Sequence, residues 1–160
     1  MLTTRHRLLF QDSRDLGFLD DDSVDLVATS PPYPMIEMWD ELFAQLNPEV
    51  GPALAAGAGQ RAFELMHGEL DLVWAGLWRV LKPGGILCVN TGDAARTIAD
   101  DFCLYSNHSR IIQTCVSLGF TSLPGIIWRK PTNAPTKFLG AGMLPAGAYV
   151  TLEHEHILIF

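Results

Sequence analysis

The segment from Arg61 to Leu81 is the feature of this sequence that most constrains its fold. Its apolar residues recur at helical spacing, which predicts an amphipathic helix; they are Phe63, Met66, Leu70, Val73, Trp74, Leu77, Val80 and Leu81. The helix should end at Lys82-Pro83-Gly84-Gly85, because proline and glycine stop helices. Apolar runs at Val24–Ser30 and Ile86–Asn90 flank it and are typical of buried strands. A strand, a helix and a second strand in this order predict a crossover unit of an α/β sheet.

Further predicted elements complete one domain over residues 1–160. Arg7–Phe10 is expected to be a short strand, and a second amphipathic helix should begin near Asn107 and end with Gly119 in the C-terminal cap position. Gly125–Arg129 and His156–Phe160 are the last predicted strands, which could pair antiparallel across their long connection. The sequence therefore predicts an α/β fold whose sheet is mostly parallel, with an antiparallel last strand and helices on its faces.

Two segments rich in glycine, proline and alanine are expected to be long loops. They are Pro48–Gly59 and Pro131–Thr151. Long structureless segments are uncommon inside compact domains and are often functional. Both are therefore expected to flank the site.

Charge and hydropathy narrow the functional classes. The formal charge of −7 argues against a general polyanion binder, because nonspecific nucleic-acid affinity comes from clustered Lys and Arg. The local basic candidates are Arg129, Lys130 and Lys137, although a short basic cluster is more often a solvated strand end. No run reaches the roughly 18 apolar residues that a membrane span needs. With three isolated cysteines that lack metal-binding spacing, the sequence predicts a soluble, cytoplasmic protein with no membrane partner and no structural zinc.

The string Ser30-Pro31-Pro32-Tyr33 directly follows an apolar strand. Ligands of open α/β sheets bind beyond the carboxyl ends of strands, so these residues should form the rim of a pocket. Ser30 Oγ and the Pro31 carbonyl would accept hydrogens from an amino group and favour its attack on an electrophilic methyl group. Tyr33 would stack on a base extruded from the duplex. The alternative is a Pro-Pro turn with Tyr33 packed on the core.

The motif resembles that of the permuted, beta-type DNA amino-methyltransferases, which reads Asp/Asn/Ser-Pro-Pro-Tyr. Further similarity covers Phe10–Ser13, Leu81–Ile86, Gly119–Phe120, Ile126–Lys130 and His154–Phe160. The resemblance implies a partial Rossmann-like methyltransferase sheet, S-adenosylmethionine as methyl donor and duplex DNA as substrate, with Ser30, Pro31, Pro32 and Tyr33 as catalytic residues. Serine in the first position is usual in cytosine N(4) enzymes and aspartate in adenine N(6) enzymes. Cytosine N(4) is therefore the expected target and adenine N(6) the alternative.

Two acids are candidates for further roles. In the resembling proteins the segment around Asp12 lies beside the methyl-donor pocket, which implies that Asp12 and Ser30 bind the cofactor, although Gln11 stands where the family usually has glycine. Alternatively, Asp12 or Ser13 caps a turn. Asp93 follows the strand that ends at Asn90 and belongs either at the sheet's rim or in an exposed turn.

The family's glycine-rich cofactor loop, Phe-x-Gly-x-Gly, has a literal match at Phe138–Gly142. No apolar strand precedes this match and Pro145 stands where a helix should begin, so we do not expect it to be the loop. In the permuted order, that loop and the target-recognition region follow the strand that ends here at Phe160.

A truncated gene, one part of a split enzyme or a fragment is therefore expected, with a missing cofactor-binding half or complementary subunit as partner. Beta-type relatives often dimerise, so a homodimer is a further candidate. An inactive remnant that serves as a binding or assembly module is the alternative. A methyltransferase for RNA or protein is disfavoured by the motif order.

Overall fold

The computed structural model describes residues 3–130 and 152–160. Its helices and strands are β1 Val24–Thr29, α1 Asp40–Leu46, α2 Val50–Ala55, α3 Gly59–Val80, β2 Leu81–Thr91, β3 Ala94–Ile98, β4 Asp101–Tyr105, α4 Asn107–Leu118, β5 Leu123–Arg129 and β6 His154–Ile159. A short 3-10 turn at Glu37–Trp39 precedes α1. The fold is α/β, as predicted. Among the described helices, none has the length and apolar character required to cross a bilayer.

The main sheet has the strand order β1-β2-β6-β5. β1 pairs parallel with β2, whereas β6 pairs antiparallel with both β2 and β5. The expectation of a mostly parallel sheet is therefore wrong, since two of its three pairings are antiparallel. The reason is the position of the last strand. Because β6 lies inside the sheet, it forms antiparallel pairs on both sides, although β1, β2 and β5 run in one direction.

Both long predicted helices are present. α3 ends at Val80, one residue before the Lys-Pro-Gly-Gly segment, and α4 ends at Leu118. Gly119 then adopts φ of 113°, a left-handed conformation that favours glycine at the end of a helix.

Two local expectations are corrected, and one hairpin was not predicted. Arg7–Phe10 is not a strand; Phe10 is 93% exposed, and no described strand lies beside this segment to pair with it. Residues 48–59 are not a structureless loop, because α2 and the first residue of α3 lie within them. The hairpin formed by β3 and β4 was not predicted. The other expected loop, Pro131–Thr151, lies outside the described residues.

The two faces of the main sheet differ in burial. Strand residues alternate between faces, and the pairing register places Val27, Leu87 and Leu158 on the face that packs in the core with α3. We call the opposite side the open face; its apolar residues are Leu26, Cys88, Ile126, Trp128, Ile157 and Ile159. Leu26 is 60% exposed and Ile126 is 53% exposed. Among the residues that the structure describes, the core therefore lies on one side of the sheet.

Candidate active site

The predicted motif lies at the carboxyl end of β1. Ser30 Oγ is 3.0 Å from the Tyr33 hydroxyl oxygen. Asn90, near the carboxyl end of the neighbouring parallel strand β2, donates to the same Tyr33 oxygen at 2.8 Å. The structure thus joins the ends of β1 and β2 through the Tyr33 hydroxyl.

Glu155 reaches the same rim from β6. Because β6 is antiparallel to β2, the amino end of β6 lies beside the carboxyl end of β2. One Glu155 oxygen accepts from the Tyr33 hydroxyl at 3.3 Å and from Asn90 Nδ2 at 2.6 Å. The other accepts from Lys130 Nζ at 2.5 Å. Strand ends from across the sheet therefore contribute to one hydrogen-bonded group.

The protonation states in this group follow from its contacts. Burial by itself raises the pKa of Glu155, but the hydrogen bonds from Lys130 and Asn90 outweigh it and lower that pKa. Burial also raises the pKa of Tyr33. Glu155 is therefore a carboxylate at neutral pH and Tyr33 a neutral phenol, so the Tyr33 hydroxyl hydrogen has a charged acceptor in Glu155.

This arrangement determines which hydrogen-bonding groups of the Ser30 hydroxyl are left for a ligand. With its hydrogen donated to Glu155, the Tyr33 oxygen serves as acceptor for Asn90 and for the Ser30 hydroxyl. Ser30 then uses its own hydrogen on Tyr33, and its oxygen lone pairs remain for a ligand.

An open cavity of about 510 Å³ lies over the rim. Its walls are Ser30, Pro31, Tyr33, Ile36, Met38, Trp39, Asn90, Trp128, Lys130 and Glu155. The volume is within the range of small-molecule sites. Aromatic and aliphatic walls with a few polar groups suit a flat, partly polar ring.

A buried asparagine connects the two loops beneath the rim. Asn107, at the start of α4, donates to the carbonyls of Pro34 at 3.0 Å and Gly92 at 2.9 Å. Its carbonyl oxygen lies 2.9 Å from Nε2 of buried His67 in α3. Burial lowers the pKa of His67 to about 4, so the ring is neutral and donates to Asn107. The loops after β1 and β2 are thus fixed to the helical layer.

The two acids singled out in the sequence have different environments. Asp12 accepts from the Arg14 backbone N–H at 2.9 Å and from the Arg14 guanidinium at 2.7 Å, and the side-chain hydrogen bond with Arg14 lowers the pKa of Asp12. These are turn-capping contacts, and none of the described contacts of Asp12 joins it to the rim. Asp93 is not an exposed turn residue, because its side chain is only 7% exposed and lies 2.8 Å from His108 Nδ1.

The sequence model of a DNA methylase family matches residues 24–160. The chain belongs to this DNA methylase family. It is 52% identical over 160 residues to the type II methyltransferase M.MthZI of Methanothermobacter thermautotrophicus, covering 99% of this chain and 45% of the relative. It is 48% identical over 170 residues to M.MjaI of Methanocaldococcus jannaschii, covering 99% and 56%. The chain thus spans about half the length of the curated relatives it matches.

One solved structure agrees with this family assignment, and a second has a similar fold. A candidate DNA modification methylase of Thermus thermophilus, solved with S-adenosyl-L-methionine, has a TM-score of 0.66 at 33% identity, over 92% of this chain and 52% of that one. The cytosine-N4-specific PvuII DNA methyltransferase has a TM-score of 0.53 at 19% identity. The match covers 94% of this chain and 46% of the PvuII enzyme, and it supports the fold alone.

Sequence reasoning missed several residues of this candidate site. Asn90 could have been found, because it ends a strand beside the motif strand. Glu155 and Asn107 gave no such signal, since their positions depend on the strand order and on where α4 packs. The glycine string Phe138–Gly142 and Lys137 lie outside the described residues.

Proposed function

We propose that this chain carries the catalytic rim of an S-adenosylmethionine-dependent DNA methyltransferase that acts on an exocyclic amino group, with cytosine N(4) as the target. The observation that carries the proposal is the hydrogen-bonded group of Ser30, Tyr33, Asn90 and Glu155 at the carboxyl ends of β1 and β2. It combines an available acceptor with a fixed aromatic ring beside a cavity.

The chemistry follows from the target. An aromatic amine is a poor nucleophile because its lone pair is delocalised into the ring. Acceptors directed at its hydrogens favour the geometry in which that lone pair can attack, and Ser30 Oγ and the Pro31 carbonyl are the acceptors we propose, since both residues line the cavity. Bound S-adenosylmethionine would supply the electrophilic methyl group. Tyr33, whose hydroxyl is held by Asn90 and Glu155, would stack on the extruded base.

Serine at position 30 supports cytosine over adenine as the target. In the family pattern, serine in the first position is the form usual in cytosine N(4) enzymes. Aspartate, whose carboxylate would be a stronger acceptor than the Ser30 hydroxyl, is the form usual in adenine N(6) enzymes. Adenine N(6) is therefore the alternative target. Nucleoside analysis of methylated DNA separates the two, because only one yields N(4)-methylcytosine.

We propose that the cofactor site is completed by polypeptide corresponding to the part of the relatives outside the matched region, either continuous with this chain or separate from it. Two observations support this. The open face presents the apolar side chains of Leu26, Ile126 and Trp128 to solvent, and exposed apolar patches often mark a surface that another polypeptide covers. The relatives are about twice the matched length. The described residues supply one wall of a cofactor pocket at Ser30.

The basic residues that would contact DNA are confined to one part of the described surface. The net charge of −7 would repel phosphates, but two basic residues stand where β5 ends: Lys130 lines the cavity, and the side chain of the preceding Arg129 is 84% exposed. These two residues would contact the backbone near the target base. Most of the DNA-binding surface would come from the complementing segment.

The test is methyl transfer to duplex DNA by the complemented enzyme. Ser30→Ala is expected to lower the rate by about 10² to 10³, because one transition-state acceptor is lost. Ser117→Ala, which removes an exposed hydroxyl bonded to the Thr114 carbonyl, is the matched control. A Ser30→Ala rate within a few fold of wild type, with an unchanged melting temperature, would remove Ser30 from the reaction.

A further inference from the structure

One carboxylate and two imidazoles cluster beside the candidate active site. Asp93 follows β2, His108 is the second residue of α4, and His156 lies in β6. One potential ligand atom from each residue lies within 4.8 Å of the others. The three residues come from separate elements, so the tertiary fold assembles the cluster.

The contacts within the cluster are close. Both Asp93 oxygens lie 2.8 Å from His108 Nδ1, and Oδ1 also accepts from the His108 backbone N–H at 3.1 Å. The rings of His108 and His156 stack with centroids 3.9 Å apart and planes 14° from parallel. Within residues 3–130 and 152–160, the ring nitrogens of half-buried His156 have no hydrogen-bond partner.

Capping of α4 accounts for only part of this arrangement. The contact of Asp93 with the His108 backbone N–H is that of a helix-capping acid. The contact of Asp93 with His108 Nδ1 also orients the His108 ring. Neither explains His156, whose ring lies against His108 with nitrogens that no described residue pairs. Imidazole nitrogens of this kind are the commonest metal ligands in proteins.

We propose that Asp93, His108 and His156 bind one divalent transition-metal ion of the zinc type. Two imidazoles and one carboxylate match the ligand set of sites that keep a fourth position open, whereas magnesium and calcium prefer oxygen ligands throughout. Ligand atoms around tetrahedral zinc are about 3.3 Å apart, given bonds of roughly 2.0 to 2.2 Å. Separations of up to 4.8 Å therefore have to shorten on binding. Because imidazole lone pairs lie in the ring plane, the stacked rings of His108 and His156 also have to rotate out of their near-parallel arrangement to direct a nitrogen at one ion.

The position of the cluster indicates what such an ion would do. Asp93 also lines a cavity of about 300 Å³ together with Tyr33, Lys130 and Glu155. A bound ion would connect β6, α4 and the loop after β2, the elements that hold Glu155 and Asn90 at the rim. The proposal goes beyond methyl transfer and does not depend on it.

The test uses the chelator-treated chain, with its fold verified by circular dichroism. Zn²⁺ binding is measured by calorimetry, and Co²⁺ binding by the visible absorption of the ion. We expect one ion per chain, and a loss of affinity of about tenfold or more in Asp93→Asn and in His156→Gln. His154→Gln is the matched control, because the His154 ring centroid lies 5.1 Å from that of His156 but His154 is not in the cluster; its affinity should equal that of wild type.

Nuclear magnetic resonance of the histidine side chains in the unmutated chain gives an independent readout. Zn²⁺ should shift the ring nitrogens of His108 and His156 and leave those of His6 and His67 in place. Absence of binding by the folded chain, or binding that shifts other histidines instead, would overturn the proposal. Unchanged affinity in both cluster variants would do the same.

Discussion

At the scale of single residues, the Tyr33 hydroxyl is the centre of the candidate site. It contacts Ser30, Asn90 and Glu155, which come from three different strand ends. The Glu155 side chain is 12% exposed and carries the charge that orders the group. If these hydrogen bonds position Ser30 and Tyr33, removing the Glu155 carboxylate should lower the rate of methyl transfer because the Tyr33 hydroxyl loses its acceptor.

The first prediction is that Glu155→Ala and Tyr33→Phe lower methyl transfer non-additively. Either change frees the Ser30 hydroxyl hydrogen from its ordered arrangement, so the second change has less left to disrupt. A double-mutant cycle on the complemented enzyme should give a coupling energy of about 0.5 to 3 kcal/mol. Glu153→Ala is the control, since Glu153 pairs with exposed Arg129 and has no contact with Tyr33 among the described residues. Additive effects would mean that the two residues act independently.

At the scale of secondary-structure elements, regular patterns could be predicted from the sequence and spatial order could not. The 3.6-residue period predicted α3, and Gly119 predicted the end of α4, because these signals are local. The position of β6 between β2 and β5 depends on which strands pair with each other, and the spacing of apolar residues along the sequence does not show this. Asn90 and Glu155 share a hydrogen bond across 65 positions for this reason. The motif was found because strand end and chemistry coincide within Ser30–Tyr33.

The second prediction concerns two glycines in the helical layer. Gly119→Ala should destabilise the chain by about 1 to 3 kcal/mol, because φ of 113° is strained for alanine. A Cβ there would also lie 2.8 Å from Trp78 Cζ2. Gly68→Ala, inside α3 with no atom within 4 Å of a Cβ, should instead stabilise by about 0.5 to 1 kcal/mol. Urea unfolding of both variants checks the signs, and equal effects would contradict the assigned cap.

The third prediction is that the free energy of unfolding falls with acid through His67. The pKa of His67 is the ordinary 6.5 in the unfolded chain and about 4 in the folded chain. Between these two pH values the unfolded state therefore binds more protons than the folded state. Stability is therefore fully present above about pH 6.5 and is lost as the pH falls towards 4. At about 1.4 kcal/mol per pKa unit, the loss is about 3 kcal/mol at most.

His67→Gln provides the comparison, because the Gln amide keeps a donor for Asn107. Arg110, Asp71 and Glu64 also act on His67 and are present in both proteins, so the difference between the two pH profiles isolates the imidazole. Urea unfolding from about pH 4 to 8 should show a shallower profile in the variant. Parallel profiles would show that His67 is not held neutral.

At the scale of the whole molecule, the described residues pack on one side of the sheet. The helical layer covers the face that contains Leu87 and Leu158, while the open face exposes Leu26, Ile126 and Trp128. The candidate cavity lies where Trp128 and the rim meet, so the described residues wall it from one side. A ligand at this position would keep much of its surface in water, whereas small-molecule sites bury roughly 70 to 90% of their ligand.

The last prediction is that the 160-residue chain binds S-adenosylmethionine weakly on its own and gains affinity when the complementing segment covers the open face. Leu26→Asp should weaken that association, because it places a charge in the apolar contact, and should leave the melting temperature of the isolated chain nearly unchanged, since Leu26 is already 60% exposed. Leu72→Asp is the matched control, because Leu72 is 53% exposed on α3, in the helical layer. Calorimetry with S-adenosylmethionine, and then with the segment, measures both steps. Micromolar binding by the isolated chain would contradict the prediction, and equal association by the two aspartate variants would show that the segment binds elsewhere.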